Sequence, residues 1–198
     1  MTVRPQGQNQ RTTILAAVLR VARADKTGMA LFGDTTRAFL LSLVPLIALP
    51  LVISLVTLLR GDILKAVTDL LAAICVLLVP PIVSHALARR WSRETLWLRF
   101  AVAFNWCQFA LSALCMAILI ALGIVFGAAS AAPGSSLVVA AFAILCVALV
   151  GYGLWLHWFI VRVGLAVSGG RAAFLVFAVY AGTMAVLIGR GLLFMERG

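Results

Sequence analysis

The chain has 198 residues, of which 64% are hydrophobic and 11% charged, with a formal net charge of +10. A soluble domain of this length averages about 45–50% apolar and about 25% charged residues and cannot hide the surplus, so the composition excludes a water-soluble globule and predicts a protein whose solvent is lipid. The basic excess does not point to nucleic acid, because the Lys and Arg residues stand at the edges of apolar runs without aromatic interleaving, where they set membrane orientation and attract anionic headgroups.

In chain order, residues 1–37 form an N-terminal segment with no long apolar core, which predicts no cleaved signal peptide. Arg4 to Gln10 read as flexible. Over 12–24, Ile14, Leu15, Val18, Leu19, Val21 and Ala22 gather on one side at helical spacing while Arg20 and Arg23 fall opposite. This amphipathic helix either lies in the headgroup region or packs against the inner end of a bundle. Asp34 is the expected N-cap of the next helix.

Residues 38–192 then carry five runs of membrane-spanning length, at 38–59, 64–87, 100–127, 137–161 and 172–189. Pro45 and Pro50 are expected to kink the first span, and Pro80-Pro81 to break the inner end of the second. The stretch AASAAPGSS (128–136) reads as a tight polar turn, and 193–198 as a short external tail. Backbone amides cannot stay unpaired in hydrocarbon, so the spans must be helices. The expected fold is all-α, an integral membrane bundle of five transmembrane helices preceded by a short amphipathic interfacial helix.

Five spans put the termini on opposite sides. Twelve of the sixteen basic residues fall on the N-terminal side, the exceptions being Arg60, Lys65, Arg190 and Arg197. The positive-inside bias therefore predicts a cytoplasmic N-terminus and a periplasmic C-terminus. All five tryptophans (Trp91, Trp97, Trp106, Trp155, Trp158) fall at or near that same inner end.

The polar residues inside the spans are few. Asn105 and Gln108 share a helix face in the inner half of the third span, His85 ends the second and His157 approaches the inner end of the fourth. These four are expected to form one cluster, serving either interhelical hydrogen bonding or a ligand. His85 and His157 are the only histidines, so a bis-His haem or metal site is a further alternative. Lys65 and Asp69, one turn apart, are expected to pair at the outer rim. Gly123 and Gly127 form a GxxxG, and Gly151 and Gly153 flank Tyr152; both are helix-packing signals, within the chain or between chains. Cys75, Cys107, Cys115 and Cys146 lie in apolar runs without metal-ligand spacing and read as soft packing residues. Ser168–Arg171 reads as a reverse turn. No nucleophile–base pair, carboxylate pair or phosphate-cradling loop is found, so no enzyme activity, metal or cofactor is expected.

The stretches ALFGDTTRAFLLSLVP (30–45), FAVAFNW (100–106) and WLHWFIVRVGLAV (155–167) resemble a family of small bacterial multi-pass inner-membrane proteins that is similar to the Yip family of Rab-interacting five-span membrane proteins. The resemblance implies an inner-membrane location, a cytoplasmic N-terminus and action through protein contacts, with no catalytic residues. The first expectation is a non-enzymatic membrane-organising or accessory factor with a cytoplasmic surface made by Arg89, Arg90, Trp91, Arg93, Trp97, Trp106, Trp155, Trp158 and Arg162. Its expected partners are anionic bilayer lipids and other membrane proteins. The alternatives are a small permease or channel using the inner polar cluster, and a haem- or quinone-binding redox subunit.

Overall fold

A computed structural model describes residues 6–129 and 135–195, with side chains over 13–124 and 140–192. Its elements are α1 (Gln6–Ala22), a 3₁₀ turn (Lys26–Leu31), α2 (Thr36–Leu59), α3 (Ile63–Arg90), α4 (Glu94–Ala129), α5 (Ser135–Gly164) and α6 (Gly169–Met195), with no strand among the described residues. The five helices α2 to α6 are long and apolar enough to cross a membrane, and the chain is a multi-pass membrane protein. Their outer faces show why: Ile124, Ile144 and Val147 are each at least 70% exposed, which only a hydrocarbon solvent tolerates.

The spans pack as a closed ring in the order α2, α3, α6, α5, α4. One end of the ring holds α1, the 3₁₀ turn, the α3–α4 turn and the α5–α6 turn; the other holds the α2–α3 turn. The buried core lies toward the α1 end, around Phe100–Phe104, Cys107, Phe159–Val161, Leu165 and Leu175. Toward the opposite end, a buried hydrogen bond from Ser54 Oγ to the Ala66 carbonyl (2.7 Å) ties α2 to α3.

Helix α1 packs one face against the bundle, which is one of its two expected placements. Ala17 and Val21 are buried against the bundle while Leu15 and Leu19 face out. A Cβ at Gly28 would lie 2.9 Å from the Ala17 carbonyl and from Val21 Cγ2, so only glycine lets the 3₁₀ turn meet α1 this closely. Tyr152 Oη on α5 donates to the Ala22 carbonyl at 2.8 Å. The helix starts at Gln6, earlier than expected; three glutamines, good helix formers, accompany Gly7 and Asn9 over 6–10, and no proline interrupts the stretch.

Several local expectations are corrected. Thr35, not Asp34, caps α2, its Oγ1 accepting from Ala38 N at 3.2 Å. Asp34 instead accepts from Arg99 of α4 at 2.7 Å. Pro80 and Pro81 do not break α3, which continues to Arg90 with both prolines inside it; neighbouring helices and local adjustments make such prolines tolerable in a membrane. Of the turn expected over 128–136, Ala128, Ala129, Ser135 and Ser136 are helical and 130–134 lie outside the described residues. The tail expected from 193 is helical through Met195.

Candidate functional site: a cavity inside the ring

Three of the four polar residues expected to cluster do so. Asn105 and Gln108 of α4 and His157 of α5 line a cavity of about 300 Å³ to which all five spans contribute. Asn105 is buried and donates from Nδ2 to Ser42 Oγ on α2 at 2.9 Å, and Ser42 Oγ in turn donates to the Phe39 carbonyl at 2.7 Å. His157 is 2% exposed. Its Nδ1 lies 2.9 Å from Tyr180 Oη on α6, and Phe104 stacks on its ring at a centroid distance of 4.8 Å. Its Nε2 is buried and has no hydrogen-bond partner. Such an atom is costly to leave unpaired.

The cavity has two unlike walls. Helices α2 and α3 supply Leu46, Pro50, Ala73, Val76, Leu77 and Pro80, all apolar. Helices α4, α5 and α6 supply Asn105, Gln108, His157, Tyr180 and Thr183 among apolar neighbours. No charged side chain lines it. The prolines add polarity of another kind. A proline has no N–H to give the carbonyl four residues earlier, so Pro50 removes the helical donor of Leu46, and Pro80 and Pro81 those of Val76 and Leu77. All three residues so affected line the cavity.

His85 is the exception. It is exposed on α3, edge-on to Trp97 with ring centroids 4.8 Å apart. The phase of an unbroken α3 explains this. Ser84, four residues after the cavity-lining Pro80, faces inward and is buried, and the next residue turns about 100° away. The two histidines therefore sit in separate surroundings, which overturns the bis-His pairing. Among the described residues no group of three or more His, Cys, Asp or Glu is placed to hold a metal ion.

Lys65 and Asp69 do not pair as expected. Asp69 forms its ion pair with Arg190 of α6, leaving Lys65 exposed on the first turn of α3. Gly123 and Gly151 carry no packing against the described residues, none of which comes within 4 Å of a Cβ built on either. Gly153 does, with Leu111 Cδ2 3.0 Å from where its Cβ would be. Gly127 lies in helical backbone at the end of α4, among residues whose side chains are outside those described.

Much of the aromatic and basic surface at the α1 end is spent on internal ties. Trp97 Nε1 donates to Ser84 Oγ at 3.0 Å, and Trp158 Nε1 to the Gly169 carbonyl at 3.0 Å; of the reverse turn expected at Ser168–Arg171, only Ser168 lies outside helix, since Gly169 to Arg171 open α6. Arg162 lies over Trp158 and Arg171 over Trp91. Trp155 stacks on Phe159, Trp106 stands edge-on to Phe109, and Arg89 faces Glu94 at 3.6 Å. Arg90 and Arg93 remain exposed. The four cysteines are free thiols, with Cys107 alone buried.

Sequence reasoning missed Ser42, Tyr180 and Thr183. Tyr180 and Thr183 stand three apart in α6, the same spacing that drew attention to Asn105 and Gln108, so a signal was there. Ser42 carried none, being a small residue common in membrane helices. No family model, no curated protein and no solved structure matches the chain.

Proposed function

We propose that the chain is a small permease of the bacterial inner membrane whose binding site is the cavity inside the ring, and whose substrate is a small uncharged solute. The observation that carries this reading is His157 Nε2, buried without a partner on the polar wall of a cavity of about 300 Å³. Ligand pockets of this kind are mostly apolar with a few convergent polar groups. The prolines leave helical carbonyls without donors on the cavity wall, and carbonyls freed in this way are a source of backbone polarity that membrane carriers offer to a solute. The absence of charge on the lining favours a neutral solute, since a net charge there would go unpaired. Charge asymmetry and the one-sided tryptophans support a cytoplasmic N-terminus, in keeping with the resemblance to bacterial Yip-like proteins.

The test is uptake by proteoliposomes, using glycerol, urea and erythritol as uncharged probes and light scattering as the readout. Protein-dependent flux that disappears in His157→Leu and Gln108→Leu supports the reading. Flux no faster than in empty vesicles for every probe, with no shift of the melting temperature by any of them, sinks it.

The membrane-organising reading keeps one observation in its favour, the exposed guanidinium groups of Arg90 and Arg93 beside Arg89. A pull-down from mild detergent that recovers a partner from the wild type but not from Arg90→Ala/Arg93→Ala would promote it.

A further inference from the structure

We infer that a second, larger recess, between α1 with the 3₁₀ turn on one side and α2 with α4 on the other, is a specific site for one anionic phospholipid. The inference is independent of the permease reading, because it uses a different cavity and different residues. The recess measures about 530 Å³ and is walled by Leu31, Phe32, Leu41, Val44, Val102 and Trp106 among others.

The register of its two long helices gives it direction. On α2, Arg37, Leu41 and Val44 follow one another at helical spacing down one face, so the cation stands one turn nearer the α1 end than the apolar walls. On α4, Arg99, Val102 and Trp106 repeat the order. Both helices begin at the α1 end, so both cations stand at the same mouth. The recess thus grades from positive at the end of the bundle to apolar deeper in, the profile of a phospholipid lying with its phosphate outward and one acyl chain down the groove.

The charges at the mouth favour an anion. Arg99 gives one guanidinium N–H to Asp34 at 2.7 Å, and its side chain is 43% exposed. The planar guanidinium carries further N–H donors, which suit a phosphate oxygen. Arg37 is exposed. Two arginines against one aspartate leave the mouth net positive. The flank on which the recess opens is hydrocarbon-facing, with Leu40 57%, Val44 59% and Leu15 63% exposed, so the molecule that meets it first is a lipid. Ala17, Val21 and Gly28 hold α1 and the 3₁₀ turn in place as the outer wall.

The full chain, purified in mild detergent and exchanged with an equimolar mixture of phosphatidylglycerol and phosphatidylethanolamine, is examined by native mass spectrometry. The expected result is one retained phosphatidylglycerol in preference to phosphatidylethanolamine. Arg37→Gln lowers that preference about fivefold, the effect of one basic residue near a headgroup. Val44→Trp, at an exposed position that tolerates the added bulk, fills the groove and abolishes retention, while Arg60→Gln at the opposite end changes nothing. Equal retention of the two lipids overturns the proposal, as does retention unaffected by both groove variants. A dimer in the wild type that Val44→Trp dissociates would assign the recess to a second copy of the chain and overturn it as well.

Discussion

Asp69 on α3 reaches across to Arg190 on α6 and ignores Lys65, which lies one turn away on its own helix. Near a helix end a lysine can extend its ammonium to water and stay hydrated, whereas the Arg guanidinium is more weakly hydrated and forks onto a carboxylate. Asp69 shares a face of α3 with Ala73 and Val76, and Arg190 shares a face of α6 with Thr183, so the pair lies on the α3–α6 seam beyond the cavity, toward the end opposite α1. Their side chains are 20% and 38% exposed. Asp69→Asn or Arg190→Gln alone is expected to destabilise by more than the ~0.2–1 kcal/mol of an exposed pair and less than the ~3–5 kcal/mol of a fully buried one. The double variant recovers part of the loss, and Lys65→Gln is neutral. Thermal unfolding of the wild type and the four variants in one detergent reads this out, and a Lys65→Gln loss as large as that of Arg190→Gln would contradict the pairing.

The hydrogen bond between Asn105 and Ser42 joins α4 to α2 beside the cavity. A double-mutant cycle of Asn105→Leu and Ser42→Ala is expected to give a coupling near ~0.6 kcal/mol and no more than about 1.7 kcal/mol, the range for side-chain bonds between membrane helices. Steric trapping or thermal unfolding of the detergent-solubilised protein measures it. Additive single effects would mean that the two side chains do not share a bond in the folded state.

The sequence made the five spans readable because each is a long apolar run bounded by charge, and lipid leaves helices as the only open choice. Helix ends were less readable where polar residues continue a helix, as over 6–10 in α1 and 88–90 in α3. Depth along a span was legible too, which is why Asn105, Gln108 and His157 were placed together. Rotation about the helix axis was not. His85 lies at a fitting depth but about 140° around α3 from Pro80, a phase fixed only if the Pro-Pro step leaves the helix continuous. Partner choice across helices was equally hidden, since Arg190 is 121 residues from Asp69 while Lys65 is four away.

The glycines divide by what surrounds them. At Gly182 on α6 a Cβ would come within 2.9 Å of Val79 Cγ1 on α3, and valine has little rotamer freedom with which to retreat. Gly182→Ala is expected to separate the α3–α6 pair and lower the melting temperature. Gly123→Ala and Gly151→Ala meet open space and gain helix propensity of up to about 1 kcal/mol. A melting-temperature series tests the contrast, and a destabilising Gly123→Ala or Gly151→Ala would contradict it.

Asp25 caps the 3₁₀ turn, with Oδ1 accepting from Thr27 N at 2.9 Å and Thr27 Oγ1 at 2.7 Å. The Thr27 side chain first, then its backbone amide, hold the carboxyl below its ordinary value of 3.8, with Arg20 adding to the effect. The folded state thus prefers the charged form. Its contribution is complete above the unfolded value and is lost as pH falls through the lowered folded value. Protection of the Thr27 and Gly28 amides from hydrogen exchange, taken relative to the intrinsic rate at each pH, should fall on acidification below about pH 4. Thr27→Val should move that onset upward, and an onset unchanged by Thr27→Val would show that the cap does not control the turn.

His157 and Tyr180 separate binding from folding within the proposed permease. Tyr180→Phe keeps the ring and removes the hydroxyl that meets His157 Nδ1, leaving a second imidazole nitrogen unpaired beside Nε2. A buried polar atom without a partner costs about 1–3 kcal/mol, so the variant should unfold at a lower temperature yet still reach the membrane. The imidazole also loses the bond that fixes its tautomer and its tilt against Phe104, so half-saturation for a transported solute should rise, by roughly tenfold for each 1.4 kcal/mol of lost positioning. His157→Leu alone removes the unpaired nitrogen but also strips Tyr180 Oη of its partner. The double variant His157→Leu/Tyr180→Phe leaves neither nitrogen nor hydroxyl unpaired, so it should be as stable as the wild type or more so, while flux falls to the level of empty vesicles. This opposition is what a binding role predicts and a packing role does not. Were the His157–Tyr180 pair only a strut between α5 and α6, replacing both would lower the melting temperature along with any activity.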